Sequence, residues 1–112
     1  MERFAAAGLE VAVTELDIRI TLPATEEDLS NQAAQYAQVV KACVNVKKCV
    51  GVVRLSVIYI YYKSFIGTVQ TTWGITDVYS WIPSTFTGEG AALIFDEQYR
   101  KKPAFQSTID AF

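Results

Sequence analysis

Glu15 and Asp17 are the side chains of this sequence best suited to chemistry. They close the run L-E-V-A-V-T-E-L-D, whose Val11 and Val13 favour a strand. Residues two apart on a strand point the same way, so the two carboxylates are expected on one face. Acids this close raise each other's pKa unless a partner holds one of the charges. The C-terminal end of a parallel strand is where ligands and catalytic groups collect in α/β sheets. The plain alternative is a solvated glutamate at a strand end.

Trp73 and Trp81 are the two indoles of the chain. Sugar rings present apolar C–H faces that pack well on indole. Either residue alone reads as core, but together, near a carboxylate at a strand end, they point to a carbohydrate cleft. Among the other acids, Asp77 follows a strand end closely enough to support the site. Glu89, between Gly88 and Gly90, reads as a solvated turn residue, and Asp96 is a further acid. Lys101 and Lys102 read as a solvated helix entrance. The chain has no histidine, so an imidazole base has to come from elsewhere and Ser84 has nothing to activate it. Cys43 and Cys49 read as a short-loop disulfide or as two reduced core thiols. Their spacing is too wide for a C-x-x-C motif, and no second ligand pair completes a zinc site.

The elements that position these residues follow the sequence signals. Residues 2–7 read as a helix end stopped by Gly8, and residues 9–16 as a strand. Thr25, followed by Glu26, Glu27 and Asp28, is a helix start. An apolar stripe through Leu29, Ala33, Tyr36, Ala37, Val40 and Val44 carries that helix to about Asn45. A second strand begins at Cys49. Strand, helix and strand make a βαβ unit with parallel strands. Residues 71–74 read as a strand end, 77–90 as a long loop and 91–95 as a short apolar stretch. A final helix spans 104–112, with Phe105, Ile109 and Phe112 as its apolar face.

With 112 residues, half of them hydrophobic and a fifth charged, the chain is one small folded domain rather than a disordered tail. The net charge of −2 gives no nucleic-acid surface. The N-terminus lacks the apolar core of a signal peptide, so no route out of the cytosol is visible. Residues 53–70 are odd. Positions 57–62 are β-branched and aromatic without alternation, as in a buried strand. Arg54 and Lys63 bracket a run far short of the ~20 apolar residues a membrane helix needs, so no membrane partner is expected.

The strings V-A-V-T-E-L-D-I (residues 11–18), T-L-P-A-T (21–25), the Cys43/Cys49 pair, T-W-G-I-T-D-V-Y-S-W-I-P-S-T-F (72–86), G-E-G-A-A-L-I-F-D (88–96) and K-K-P-A-F (101–105) resemble, in this order, glycoside hydrolase family 10, the endo-β-1,4-xylanases, in a fungal style. The resemblance covers nearly the whole chain apart from residues 53–70. It implies an α/β fold, here the C-terminal part of a TIM (β/α)8 barrel with about strands 7 and 8 and their helices. A complete barrel typically takes about 250 residues.

By the same resemblance, Glu15 matches the nucleophile of a retaining mechanism. Asp17 matches an acid that supports a histidine of the preceding strand, a histidine missing here. Trp73 and Trp81 match the walls of the sugar subsite at the cleavage point, and Cys43 and Cys49 match a disulfide between the seventh helix and the eighth strand. The substrate implied is xylan or xylo-oligosaccharide, with no metal or organic cofactor, in a secreted and monomeric parent enzyme. The acid/base glutamate of the family comes from the fourth strand, so these residues alone are expected to be inactive. The alternatives are a non-catalytic piece that binds sugar weakly and a gene-model artefact without function. Removing residues 53–70 restores C-V-G-V-T-T-W-G-I-T-D, an uninterrupted family strand. Valine codons begin with GT and one glutamine codon is CAG, the usual ends of an intron. The segment is therefore expected to be a non-family insertion within a partial catalytic domain over 1–112, a translated unspliced intron in the first reading and a genuine loop insertion in the competing one.

Overall fold

The computed structural model describes residues 1–52 and 74–112. The residues expected as the insertion, the strand end before Gly74 and Trp73 therefore lie outside the described residues. The chain opens with α1 (Glu2–Ala6), closed by Gly8 at φ +86°, a conformation natural only to glycine. Next come β1 (Val11–Val13), β2 (Ile20–Thr21), α2 (Glu26–Val44) and β3 (Cys49–Val52). After Gly74 follow a 3₁₀ turn (Asp77–Tyr79), α3 (Ile82–Thr85), β4 (Glu89–Gly90) and α4 (Pro103–Asp110).

β1 and β3 run parallel, with Val11 opposite Cys49, Ala12 opposite Gly51 and Val13 opposite Val52. With α2 between them they form the expected βαβ unit. The first strand is shorter than expected from residues 9–16. Among the described residues β3 spans Cys49–Val52. Beyond Val13, the carbonyls of Leu16 and Ile18 are taken by α2 side chains instead of a strand. β2 and β4 form an antiparallel ladder, Ile20 opposite Gly90 and Thr21 opposite Glu89. Two residues per strand are too few for alternation to reveal it.

Thr25 caps α2 as its sequence predicts. Its Oγ1 accepts from the Asp28 N–H at 3.2 Å, and Asp28 Oδ2 accepts from the Thr25 N–H at 3.0 Å. The helix ends at Asn45. Its inner face buries Ala33, Tyr36 and Val40 as expected, but also Gln32 and Cys43, while Val44 is exposed. Gln32 goes inward because loop carbonyls await its amide. Cys43 goes inward because it is bonded to Cys49, which fixes the last turn of α2 to the first residue of β3 and decides for the disulfide.

The core gathers Leu16, Ala33, Tyr36, Cys43, Val52, Ile94 and Ala104. α4 packs along α2 and buries Ala104 and Thr108, small enough for a close approach. Of its expected apolar face, Phe105 packs edge-on against Phe95 with centroids 5.2 Å apart, whereas Ile109 and Phe112 are exposed. Among the described residues, no helix is long and apolar enough to cross a membrane.

Candidate active site

Glu15 and Asp17 flank Leu16 on the segment leaving β1. Leu16 is buried in the core, and in extended chain an inward residue turns both neighbours outward. Glu15 is accordingly exposed and Asp17 half-buried. Both carboxylates thus lie outside the core, on a segment past the end of the ladder.

Two polar side chains of α2 hold this segment from behind. Gln32, 1 % exposed, donates its amide hydrogens to the carbonyls of Ile18 (2.5 Å) and Ala91 (2.6 Å). The Tyr36 hydroxyl reaches the carbonyls of Ala92 (2.7 Å) and Leu16 (3.2 Å). The Ile18 N–H donates to Ala92 O at 3.2 Å. The Glu15–Asp17 segment is therefore sewn to the stretch at 91–92 by side chains of one helix. The Gln32 amide nitrogen and the Tyr36 hydroxyl are thus buried with partners, which burial requires, whereas Gln32 Oε1 has none among the described residues.

Asp17 Oδ2 accepts from the Trp81 indole N–H at 2.7 Å. Burial pushes the Asp17 carboxyl above its ordinary range; the indole N–H opposes this, while the charges of Glu15 and Asp77 add to it. Asp17 Oδ1 is buried with no hydrogen-bond partner among the described residues.

Trp81 stands at the start of α3 with 46 % of its surface exposed, a platform rather than a core residue. Phe86 meets it edge-on with centroids 5.8 Å apart. The Arg19 guanidinium lies 4.1 Å from the centre of the Phe86 ring, and its Nε pairs with Glu89 Oε2. Glu89 is thus not the solvated turn residue expected between two glycines; the β2–β4 ladder brings it to Arg19. The expected loop over 77–90 is likewise largely ordered, as a 3₁₀ turn, α3 and β4.

Behind the site sits a buried ion pair. Lys102 Nζ donates to Asp77 Oδ2 at 3.1 Å and to Ala91 O at 2.5 Å, and Asp77 Oδ1 accepts from the Leu93 N–H at 2.8 Å. Lys102, 7 % exposed, is therefore not part of a solvated helix entrance. The Pro103 start of α4 turns it inward, where a carboxylate and a carbonyl wait. Its neighbour Lys101 stays exposed, its ammonium 4.4 Å from the Phe105 ring centre. Asp77, read from sequence as a supporting acid, accepts from the Leu93 N–H and pairs with Lys102. Asp96 instead binds Arg100, through Nε at 2.7 Å. Ala91 adopts φ +45°, strained for alanine, and its carbonyl receives both Gln32 and Lys102. The sequence signal for this scaffold was a glutamine on the inner stripe of an otherwise apolar helix face.

A cavity of about 250 Å³ lies between β2 and the start of α2, lined by Arg19, Thr21, Asp28, Asn31, Gln32 and Gln35 among others. Neither Glu15 nor Trp81 lines it. Among the described residues, no group of three potential metal ligands comes together.

The sequence pattern of the family described as Glycosyl hydrolase family 10 matches residues 1–111. Endo-1,4-beta-xylanase 2 of Aureobasidium pullulans is 48 % identical over 102 residues, covering 91 % of this chain and 23 % of that protein. The crystal structure of a glycosylated family 10 endo-β-1,4-xylanase from Gloeophyllum trabeum superposes with a TM-score of 0.77 at 49 % identity, over 97 % of this chain and 29 % of that one. Xylanase 10B from Thermotoga petrophila, solved in complex with xylobiose, superposes with a TM-score of 0.76 at 34 % identity, over 98 % of this chain and 28 % of that one. The chain thus spans about a quarter of the length of these proteins, and its fold corresponds to part of their TIM barrel.

Proposed function

Because the chain belongs to glycosyl hydrolase family 10, we propose that it carries the nucleophile side of an endo-β-1,4-xylanase site, with Glu15 as the attacking carboxylate. The observation that carries this reading is the exposed Glu15 beside an Asp17–Trp81 bond, at the C-terminal side of a strand paired in parallel. An exposed carboxylate and an exposed indole on one rim are what a sugar ring needs: one group to attack, one face to lie on.

Retaining hydrolysis proceeds in two displacements. Glu15 attacks the anomeric carbon of a xylose unit while the glycosidic C–O bond breaks. The leaving oxygen takes a proton from a second carboxyl group, about 5–5.5 Å from the first. A water then gives its proton to that same group and attacks the anomeric carbon, releasing sugar and restoring both carboxyls. The second carboxyl belongs to another strand of the barrel. A polypeptide of these 112 residues alone is therefore expected not to turn over xylan. Asp17 holds Trp81 through one oxygen and keeps the other for a donor from the adjoining part of the barrel, the family's supporting histidine. Trp73 is proposed as the second sugar wall. The parent enzyme is proposed to be secreted and monomeric, and residues 53–70 to be an intron read into this sequence and absent from the parent enzyme.

The test is a chimeric barrel in which this chain, without residues 53–70, replaces the matching part of the Gloeophyllum trabeum xylanase. Glu15→Gln should lower turnover of xylohexaose by about 10³-fold or more while binding persists. Full activity in that variant would refute the assignment. The exposure of Trp81 also favours a second reading, in which the chain binds sugar weakly without catalysis. Titration of its Trp fluorescence with xylohexaose, flat up to millimolar sugar, would exclude it.

A further inference from the structure

Two residues of one short segment grip the loop that carries Trp81. Asp17 takes its indole N–H (2.7 Å). Arg19, two positions on, stacks on Phe86 (4.1 Å) and pairs with Glu89. Phe86 in turn braces the Trp81 ring edge-on, with centroids 5.8 Å apart. The backbone also fastens the far end of this loop: Leu22 N–H donates to Gly88 O at 2.8 Å, and β2 pairs with β4. Nothing in that ladder reaches the indole. Beside the Asp17 bond, the Arg19–Phe86 stack is a second link from the nucleophile segment to the indole ring, because a guanidinium lies flat on an aromatic ring and leaves its fork free for a carboxylate.

We infer that Arg19 is a positioning residue for Trp81: by clamping Phe86 and Glu89 it fixes the indole platform relative to Glu15, and so sets the affinity of the sugar subsite between them. This rests on the reading of Trp81 as a sugar-binding wall. In this inference Arg19 acts through Phe86 and Glu89 and not on the sugar itself. Removal of Arg19 therefore weakens binding in ground state and transition state alike, which raises KM and leaves kcat in place.

The test uses two measurements. In the full chain carrying Trp73→Phe and 5-fluorotryptophan, Trp81 is the sole fluorine label. Arg19→Met should move its ¹⁹F resonance towards that of the free amino acid and speed exchange of its indole N–H, with Arg19→Lys falling between. In the chimeric barrel, Arg19→Met should raise KM for xylohexaose about fivefold, with kcat within about twofold of the parent and Arg19→Lys recovering most of the loss. An unchanged Trp81 resonance in Arg19→Met overturns the inference, since the Asp17 bond and the β2–β4 ladder then fix the loop without Arg19. A shifted resonance with unchanged KM overturns it as well. If Arg19→Met does not fold, Glu89→Gln breaks the ion pair alone, and the same two readouts decide. Failure of the nucleophile assignment would show separately, as hydrolysis surviving Glu15→Gln while the Trp81 resonance still answers to Arg19.

Discussion

The indole N–H of Trp81 and the carboxylate of Asp17 meet at 2.7 Å across 64 positions of sequence, tying the loop after the 3₁₀ turn to the segment that bears Glu15. Because burial raises the Asp17 pKa, this bond loses its ionic acceptor at a pH above the ordinary carboxylate range. The Trp81 emission of a Trp73→Phe chain should therefore change with a midpoint in that raised range. Asp17→Asn should abolish the transition; the same midpoint in that variant would mean that another group is responsible. The stability sign follows from proton uptake. A folded carboxyl with a raised pKa binds more protons than the unfolded one, so Asp17 lowers stability as pH climbs from its ordinary pKa through its raised one.

Asp77 and Lys102 form a buried pair whose value lies in position rather than in stability. Burial is the largest influence on both, pushing Asp77 up and Lys102 down against the pull of each other's charge. Ionising the pair thus works against the folded state. On this account stability falls as pH passes up through the Asp77 titration, and rises again only above the lowered Lys102 value. Lys102→Met strands a buried carboxylate and should cost about 3 kcal/mol or more in urea unfolding. The double variant Asp77→Asn/Lys102→Met should cost less than Lys102→Met alone. A double-variant loss equal to the sum of two single losses would contradict the pairing.

The Cys43–Cys49 bond closes a loop with a sequence separation of 6, so it constrains little unfolded chain. Replacing both cysteines by serine should cost about 2 kcal/mol by the loop-entropy relation. The pair sits at the opposite end of β3 from the β1 exit, so the ¹⁹F resonance of labelled Trp81 should stay where it is. A moved resonance would mean that the bridge also shapes the site.

The intron proposal for residues 53–70 makes a direct prediction for the native secreted protein. Tryptic mass spectrometry should find a peptide in which Val52 is followed at once by Thr71. A peptide spanning residues 58–63 would falsify the proposal.

Much of the frame was legible in the sequence. The Thr25 cap, the extent of α2 and the parallel β1–β3 pair all follow from local patterns: a capping residue, a 3.6-residue stripe, β-branched runs. What stayed hidden depends on partners distant in sequence. Gln32 had no place in the apolar stripe read for α2, because the carbonyls of Ile18 and Ala91 that hold its amide lie far off in sequence. Lys102 looked solvated because nothing near it in sequence announces Asp77. Glu89 looked like a turn because its partner Arg19 arrives through a ladder of two residues per strand. The family motifs, by contrast, were continuous strings, and those the sequence displayed openly.

The most direct test of Glu15 as nucleophile is covalent trapping. The chimeric barrel would be treated with an activated 2-deoxy-2-fluoro-xylobioside, whose fluorine slows the second displacement more than the first, and the digest mapped by mass spectrometry. The account predicts one fluoroxylobiosyl adduct, on the peptide that contains Glu15 and on Glu15 itself, and none in Glu15→Gln. An adduct on any other residue of an active barrel, or steady turnover with no adduct at all, would contradict it.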